Sequence, residues 1–391
     1  MDKKPEKLVP EVRFKGFTDD WEQRKFDNVV KRINDKDDNP ELPHIEFENI
    51  ISGNGTLNKN IKDLNSKKIG TKFQKEDILF GKLRPYLKNW YFAKENGIAV
   101  GDFWVLRAKK ISVFVYYLIQ TEKFYSIANL SSGSKMPRSD WNLVSNSRFN
   151  FPENTIESIK IGNLILQLDK LITLQQRKLE QLKLLEKAHQ QKLFPNSFQE
   201  KPLLRILHGD NSWWNSYIGE VFTERVDKGS SEKLLSVSIT DGVYPFDESK
   251  RKNNSSDDKH NYKKVFQNDI AYNSMRLWQG ALGVSKYEGI VSPAYTVLKP
   301  LPNQNSIFYE FMFKNIDMLH IFQRNSQGLT SDTWNLKFNQ LQHIKIKTTN
   351  LNSQNKIAKL LIKIEELKNN ESNYYHNLMT LKKYLLQKLF L

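Results

Sequence analysis

Cysteine is absent from the 391 residues. That excludes disulfides, zinc ribbons and thiol catalysis, and it fits a reducing compartment. Long apolar runs are missing too: none approaches the roughly 20 residues that a membrane span needs, and mean hydropathy is −0.61. Met1 to Pro10 carries no apolar stretch of signal-peptide type, so a cytoplasmic location is expected. The seven histidines (44, 189, 208, 260, 320, 343 and 376) are scattered. None falls in HExxH or another ligand-like spacing, so no metal site is expected. Negative charge is the minority, with 44 acidic side chains against 60 basic ones and a net charge of +16. Such an excess points to an anionic partner. Without a membrane anchor, nucleic acid is the better fit.

Catalytic signatures are missing as well. No GxxxxGK[ST] loop is present to cradle phosphates. The single Asn-Pro, Asn39-Pro40, is followed by Glu41, so the Asn/Asp-Pro-Pro-aromatic motif of an amino-methylating enzyme is absent. Gly53-Asn54-Gly55 reads as a tight turn. A nuclease would need clustered carboxylates for Mg²⁺. Asp247-Glu248-Ser249-Lys250 has the nearest spacing, but it opens a polar run to His260 that reads as a surface loop. A binding module is favoured over an enzyme.

What is present is repetition. Trp21 to Ile33 aligns with Trp214 to Val226, 193 positions on. Phe73-Gln74, Asp77-Ile78, Arg84 and Gly97-Ile98 find partners in order in Phe266-Gln267, Asp269-Ile270, Arg276 and Gly289-Ile290. Trp141-Asn142-Leu143 matches Trp334-Asn335-Leu336, and Gln191-Lys192-Leu193-Phe194 matches Gln387-Lys388-Leu389-Phe390. A period of half the chain means two similar domains rather than a solenoid.

Each half closes on a helix. Residues 156 to 194 contain no proline before Pro195 and one glycine, Gly162. Asn154 and Thr155 are the candidate caps, with Ser158 as a further one. Ile165, Leu168, Ile172, Leu179, Leu182 and Leu193 fall on heptad seam positions, interrupted by Gln175, Glu186 and His189. In the second helix the seam is Leu361, Ile364, Tyr375, Leu378, Leu385 and Leu389, interrupted by Lys368, Glu371 and Lys382. Such spacing predicts helices that pack on each other or on partner subunits. A helix of that length spans roughly 57 Å, which suits a spacer better than the core of a small domain. The expected layout is a recognition domain over 1–152, a spacer helix over 153–195, a connector over 196–211, a second domain over 212–350 and a second helix over 351–391. The expected class is α+β.

Two basic halves, each followed by a long helix ending in QKLF, resemble the specificity subunit of type I restriction–modification systems over essentially the whole chain. The opening Val9-Pro10-Glu11-Val12-Arg13-Phe14 with Gly16-Phe17 and Trp21 is similar to the start of that family. Ser132-Gly133, Gln327-Gly328 and the Trp-Asn-Leu tripeptides resemble the ends of its recognition domains. The resemblance implies two target recognition domains separated by two antiparallel helices, reading a split, asymmetric double-stranded DNA target. It implies docking of two modification subunits, which use S-adenosylmethionine to methylate adenine N6, and of restriction subunits that use ATP and Mg²⁺. This chain itself would bind no cofactor.

Base readout needs donors and acceptors that reach a groove edge, and phosphate contacts need Lys, Arg and backbone amides. Turns bounded by aromatics supply candidates: Lys82 and Arg84 in the first half, Asn273, Ser274 and Arg276 in the second. Arg84 and Arg276 could equally be structural, each paired with an acid inside its domain. A second pair of polar loops offers Ser132, Gly133, Lys135 and Arg138, and Gln327, Gly328, Thr330 and Ser331. Trp141 and Trp334 are expected as core anchors. Two rival readings stand beside the family: a Mg²⁺-dependent nuclease, and a scaffold that binds DNA without sequence preference.

Overall fold

The run Phe103-Trp104-Val105-Leu106 is apolar at every position, which requires a strand covered on both faces. In the computed structural model, which describes residues 9–390 except 65, 131–135, 197, 207–211 and 249–257, it lies in the inner strand Phe103–Ala108. The sheet order is Val30–Ile33, Phe103–Ala108, Ile78–Gly81, Trp90–Phe92, antiparallel throughout. The two-residue alternation of a strand sends Trp104, Leu106, Ile78 and Phe80 into a core with Phe114, Phe124 and Phe149. Phe103, Val105 and Leu79 go the other way, onto Ile45 and Phe73. Those two belong to a second sheet, ordered Lys36–Asp37, Gly70–Phe73, Gly97–Ala99, His44–Ile45. Gly53-Asn54-Gly55 turns the short hairpin Ile50–Ile51 to Thr56–Leu57, with φ of +74° and +69° at its glycines.

Gly97 is fixed by close approach. A Cβ there would lie 2.4 Å from the Phe73 ring and 2.7 Å from the Pro43 carbonyl oxygen. Gly97→Ala is therefore expected to destabilise by about 1–3 kcal/mol through overpacking. A lower urea midpoint with an unchanged m value would register it.

The chain divides into two compact units: residues up to Arg177 together with those from Asn373 onward, and Lys178–Ser372. The second unit has its own antiparallel sheet, ordered Phe222–Glu224, Tyr295–Pro300, Ile270–Asn273, Leu282–Val284. This is the same succession as in the first unit. Beside it lie the strands Lys228–Gly229, Tyr262–Val265 and Gly289–Val291. Helices Ser306–Phe313 and Ile316–Asn325 bury Phe308, Tyr309, Phe313 and Phe322 against it. Each main sheet has a buried acid just before one of its two inner strands, Ile78–Gly81 and Ile270–Asn273. Asp77 accepts from Gln74 N at 2.7 Å and pairs with Arg107 at 2.7 Å. Asp269 accepts from Phe266 N at 2.9 Å and pairs with Arg225 at 2.6 Å.

The long helices span Thr155–Lys192 and Leu351–Lys388, 38 residues each. Asn154 caps the first, its side-chain oxygen accepting from Ile156 N at 2.9 Å. In the first unit, Leu168 and Ile172 pack on Leu378 with Tyr375 and Leu385 alongside, and Asp169 pairs with Lys382 at 2.8 Å. In the second unit Lys178 pairs with Glu371, and Glu186 with Lys368 at 2.7 Å. Within each unit the partners run in opposite sequence order, as antiparallel helices require. The interruptions at Glu186, Lys368, Glu371 and Lys382 are therefore ion-pairing positions.

A uniform seam is not what the structure holds. Leu179 and Ile364 are buried and Leu182 is half-buried, but Ile165 and Leu389 belong to the globular core of the first unit, and Leu193 and Leu361 to that of the second. Each QKLF end plugs a core: Phe390 lies 4.9 Å from Phe114, and Phe194 lies 5.3 Å from Phe308. The chain that follows or precedes is tied on by backbone. Val12 N donates to Lys388 O at 3.0 Å, and Leu204 N to Lys192 O at 2.8 Å, so the connector is anchored at Leu204.

Candidate nucleic-acid interface

In the first unit the two loops singled out by sequence meet. Arg84 N donates to Pro137 O at 2.8 Å and Ser139 N to Lys82 O at 2.9 Å, a short antiparallel clasp centred on Leu83 and Arg138. The clasp brings Lys82, Arg84 and Arg138 together. Asp102 sits beside them, 3.0 Å from the Arg138 guanidinium and 3.6 Å from the Lys82 ammonium. Both pairs are partly exposed, so each contributes at most about 1 kcal/mol. Ser132, Gly133 and Lys135 lie outside the described residues.

Arg84 has left-handed backbone, φ +48°, at the start of the turn Pro85–Leu87. Its Nε is buried with no hydrogen-bond partner among the described residues, an arrangement that costs about 1–3 kcal/mol. It forms no ion pair there either. The buried acids of this unit, Asp77 and Glu157, are taken by Arg107 and Arg13. Arg276 pairs at 3.7 Å with Asp332, which is 84% exposed. Pairing to an interior acid thus describes neither arginine.

The second unit repeats the meeting of loops with different chemistry. Leu336 N donates to Ser274 O at 2.9 Å, and Gln327 and Asn335 bridge through backbone. Asn273 holds its own turn, its Oδ1 accepting from Met275 N at 3.0 Å. Ser274 is a buried spacer rather than an exposed contact: it is 4% exposed and its hydroxyl donates to Ala294 O at 2.9 Å. Gln327 is exposed and its Oε1 accepts from Gln340 Nε2 at 3.3 Å. Gly328 has φ +152°, and a Cβ there would lie 2.6 Å from Thr333 O. Thr330 and Ser331 are exposed beside Leu329, whose side chain is fully exposed. A cavity of about 370 Å³ opens next to these loops, lined by Glu224, Lys263, Ser274, Asn335, Lys337 and Asn339.

Two sequence expectations change. Trp141 opens the helix Trp141–Asn146 and packs on Phe26 and Trp104, but Trp334 stands ahead of the helix Phe338–Leu341 and stacks edge-on to Trp278. Helix starts and the flanking strands correspond at a spacing of 197, four residues beyond the tripeptide match. Leu336, not Trp334, is the buried anchor. Asp102, Asn335, Lys337 and Leu329 were missed by sequence reasoning. Strand pairing brings Asp102 to its loop, a bridge to Gln327 brings Asn335, and Lys337 caps the helix that follows; no local pattern marks these. Around Asp247 only a long pair with Lys233 is seen, at 3.4 Å, with 249–257 outside the described residues. No group of three metal-ligating side chains occurs among the described residues. Among the described residues no helix is long and apolar enough to cross a membrane.

No family model and no curated protein matches the chain. Solved structures do match. The fold is that of an α+β chain with two long helices. The S subunit of a type I restriction–modification system from M. genitalium matches over 98% of this chain and 99% of its own, at 13% identity and a TM-score of 0.62. A chain from a structure concerned with complex assembly and conformational transition of the type I R-M system matches over 98% and 99%, at 16% identity and a TM-score of 0.53. The HsdS subunit from Thermoanaerobacter tengcongensis aligns over 95% and 96% at 16% identity, with a TM-score of 0.47. This chain therefore has the fold of a type I restriction–modification S subunit over nearly all its length.

Proposed function

We propose that this chain is the DNA-reading specificity subunit of a type I restriction–modification complex. The observation that carries the reading is the fold match to an S subunit over 98% of the chain. The net charge of +16 supports it, as do the polar loop pairs beside equivalent sheets. Each unit reads one half of a split, asymmetric double-stranded target. Adenine-N6 methylation with S-adenosylmethionine belongs to two modification subunits, and translocation and cleavage with ATP and Mg²⁺ to restriction subunits. This chain supplies the address in the bacterial cytoplasm.

The long helices offer the docking surface. In the first unit Leu164, Leu171, Tyr374 and Leu381 are exposed, and in the second Leu185, Leu360 and Leu367. On each helix these positions recur at multiples of seven, the spacing of a second apolar stripe. Leu171→Glu with Leu367→Glu is expected to abolish co-purification with the modification subunit. Thermal stability should hardly change, since the two side chains are 50% and 42% exposed.

Base-resolved adenine methylation of DNA from cells carrying the modification subunit, with and without this chain, tests the function. A new split motif with a constant gap, present only with the chain, is expected. Its absence when both proteins are expressed and co-purify would overturn the assignment. Mg²⁺-dependent cutting by the chain alone would favour a nuclease, and binding with a salt slope but no sequence preference would favour a scaffold.

A further inference from the structure

The loop clasps give a register that the sequence match misplaces. Lys82 O accepts from Ser139 N, and Ser274 O from Leu336 N. Gly81 pairs across its sheet with Phe103, and Asn273 with Tyr295. Lys82, Asp102 and Arg138 therefore occupy the places held by Ser274, Ala294 and Asn335 in the second unit. The chemistry of the two sets is opposed. In the first, one carboxylate holds two cations at a partly exposed site. In the second, alanine stands in place of the acid and serine and asparagine in place of the two cations; the cavity of about 370 Å³ opens there, and its lysines, Lys263 and Lys337, come from other positions, Lys263 being paired with Glu224 at 3.0 Å. The Asn335 Oδ1 there is buried without a hydrogen-bond partner.

We infer that Arg138, held by Asp102 beside Lys82, specifies a guanine in the half-site read by the first unit. Guanine offers two acceptors, O6 and N7, on its major-groove edge, and a guanidinium spans them with two parallel donors. Every other base-pair position in that groove puts a donor or a methyl group where one of those acceptors lies, so a cation pair discriminates against it. Asp102 is the positioning residue: anchoring one side of the Arg138 fork leaves the rest directed and reduces the rotamer freedom lost on binding. The second unit does not offer a carboxylate-held guanidinium at the equivalent place, because Ala294 anchors nothing and Asn335 presents an amide.

The inference rests on the proposed function, and its test separates the two. The full chain is co-expressed with the modification subunit and the methylated motif is read. A wild-type chain that yields no motif removes the proposed function. A motif with no guanine in either half leaves that function standing and overturns this inference. With wild-type complex, replacing guanines of the target one at a time by 7-deazaguanine removes the N7 acceptor. About a tenfold loss of affinity is expected at one guanine in one half. Arg138→Ala should erase the discrimination at that base pair alone and leave the other half as strict as before. Asp102→Asn should weaken the discrimination there while affinity for non-target DNA holds or rises, since a negative charge is removed. Sensitivity to 7-deazaguanine that persists unchanged in Arg138→Ala overturns the assignment. Should that variant fail to fold, absence of any 7-deazaguanine effect on the wild-type complex does the same.

Discussion

Phe390→Ala is expected to lower the stability of the first unit by about 3–5 kcal/mol, the cost of emptying a buried aromatic site. Phe390 is 6% exposed, its ring lies 4.9 Å from Phe114, and Leu389 beside it is 1% exposed. A residue at the far end of the sequence thus completes a core whose strands begin near residue 22. The loss should be local. Hydrogen exchange in mild urea should show Phe103–Ala108 and Ile78–Gly81 losing protection first, with Ile270–Asn273 and Tyr295–Pro300 keeping theirs. Phe194→Ala should do the reverse, since that ring packs on Phe308 in the second unit. Unchanged protection of Phe103–Ala108 in Phe390→Ala would show that the aromatic end of the helix is not part of that core.

The helices were legible because their signal is long and local. Thirty or more residues without proline, a cap at Asn154 and apolar residues at seam spacing need no knowledge of the rest of the chain. The seam itself was half legible. Ile165, Leu193, Leu361 and Leu389 carry the right residue type at the right spacing, yet their neighbours are globular cores. Helical periodicity tells which face is apolar, not what covers it. The polar interruptions were legible only as exceptions. Glu186 and Lys368 become sensible once each is seen to face the other.

The candidate interface was legible where it lies in a turn and illegible where it depends on strand neighbours. Lys82, Arg84 and Arg138 stand in polar segments next to aromatics, and the structure brings all three together. Asp102 follows a glycine in a stretch with no motif, and only the pairing of Gly81 with Phe103 delivers it to Lys82. The Trp-Asn-Leu match misled for a related reason. Three identical letters outweigh a four-residue slip in an alignment, but the clasp at Ser274 O and the helix starts fix the correspondence at Lys337 with Asp140. Ser274 shows a further limit. Its type suits a groove contact, but its hydroxyl is used to hold Ala294.

Asp269→Ala is expected to cost about 3 kcal/mol, because it leaves a largely buried guanidinium with only the exposed Asp227 carboxylate, 3.0 Å away, as its counter-charge. Asp269 is 2% exposed and Arg225 12% exposed, with two hydrogen bonds between them at 2.6 and 3.0 Å. The same carboxylate accepts from Phe266 N, and the Arg225 guanidinium lies 4.5 Å from the Phe266 ring. One acid thus fixes the turn before Ile270–Asn273, the strand that leads directly into the loop at Arg276. The loss should exceed what the pair contributes to the native state. Arg225→Leu in the Asp269→Leu background should recover much of it, since removing both charges leaves nothing buried and unpaired. Asp269→Asn should fall between, keeping an acceptor for Phe266 N while losing the charge. Urea denaturation of the wild type, Asp269→Leu, Arg225→Leu and the double variant gives the coupling directly. A coupling energy near zero would mean that Arg225 is solvated well enough to stand alone, and the turn would then owe its shape to Phe266 N and the sheet rather than to the ion pair.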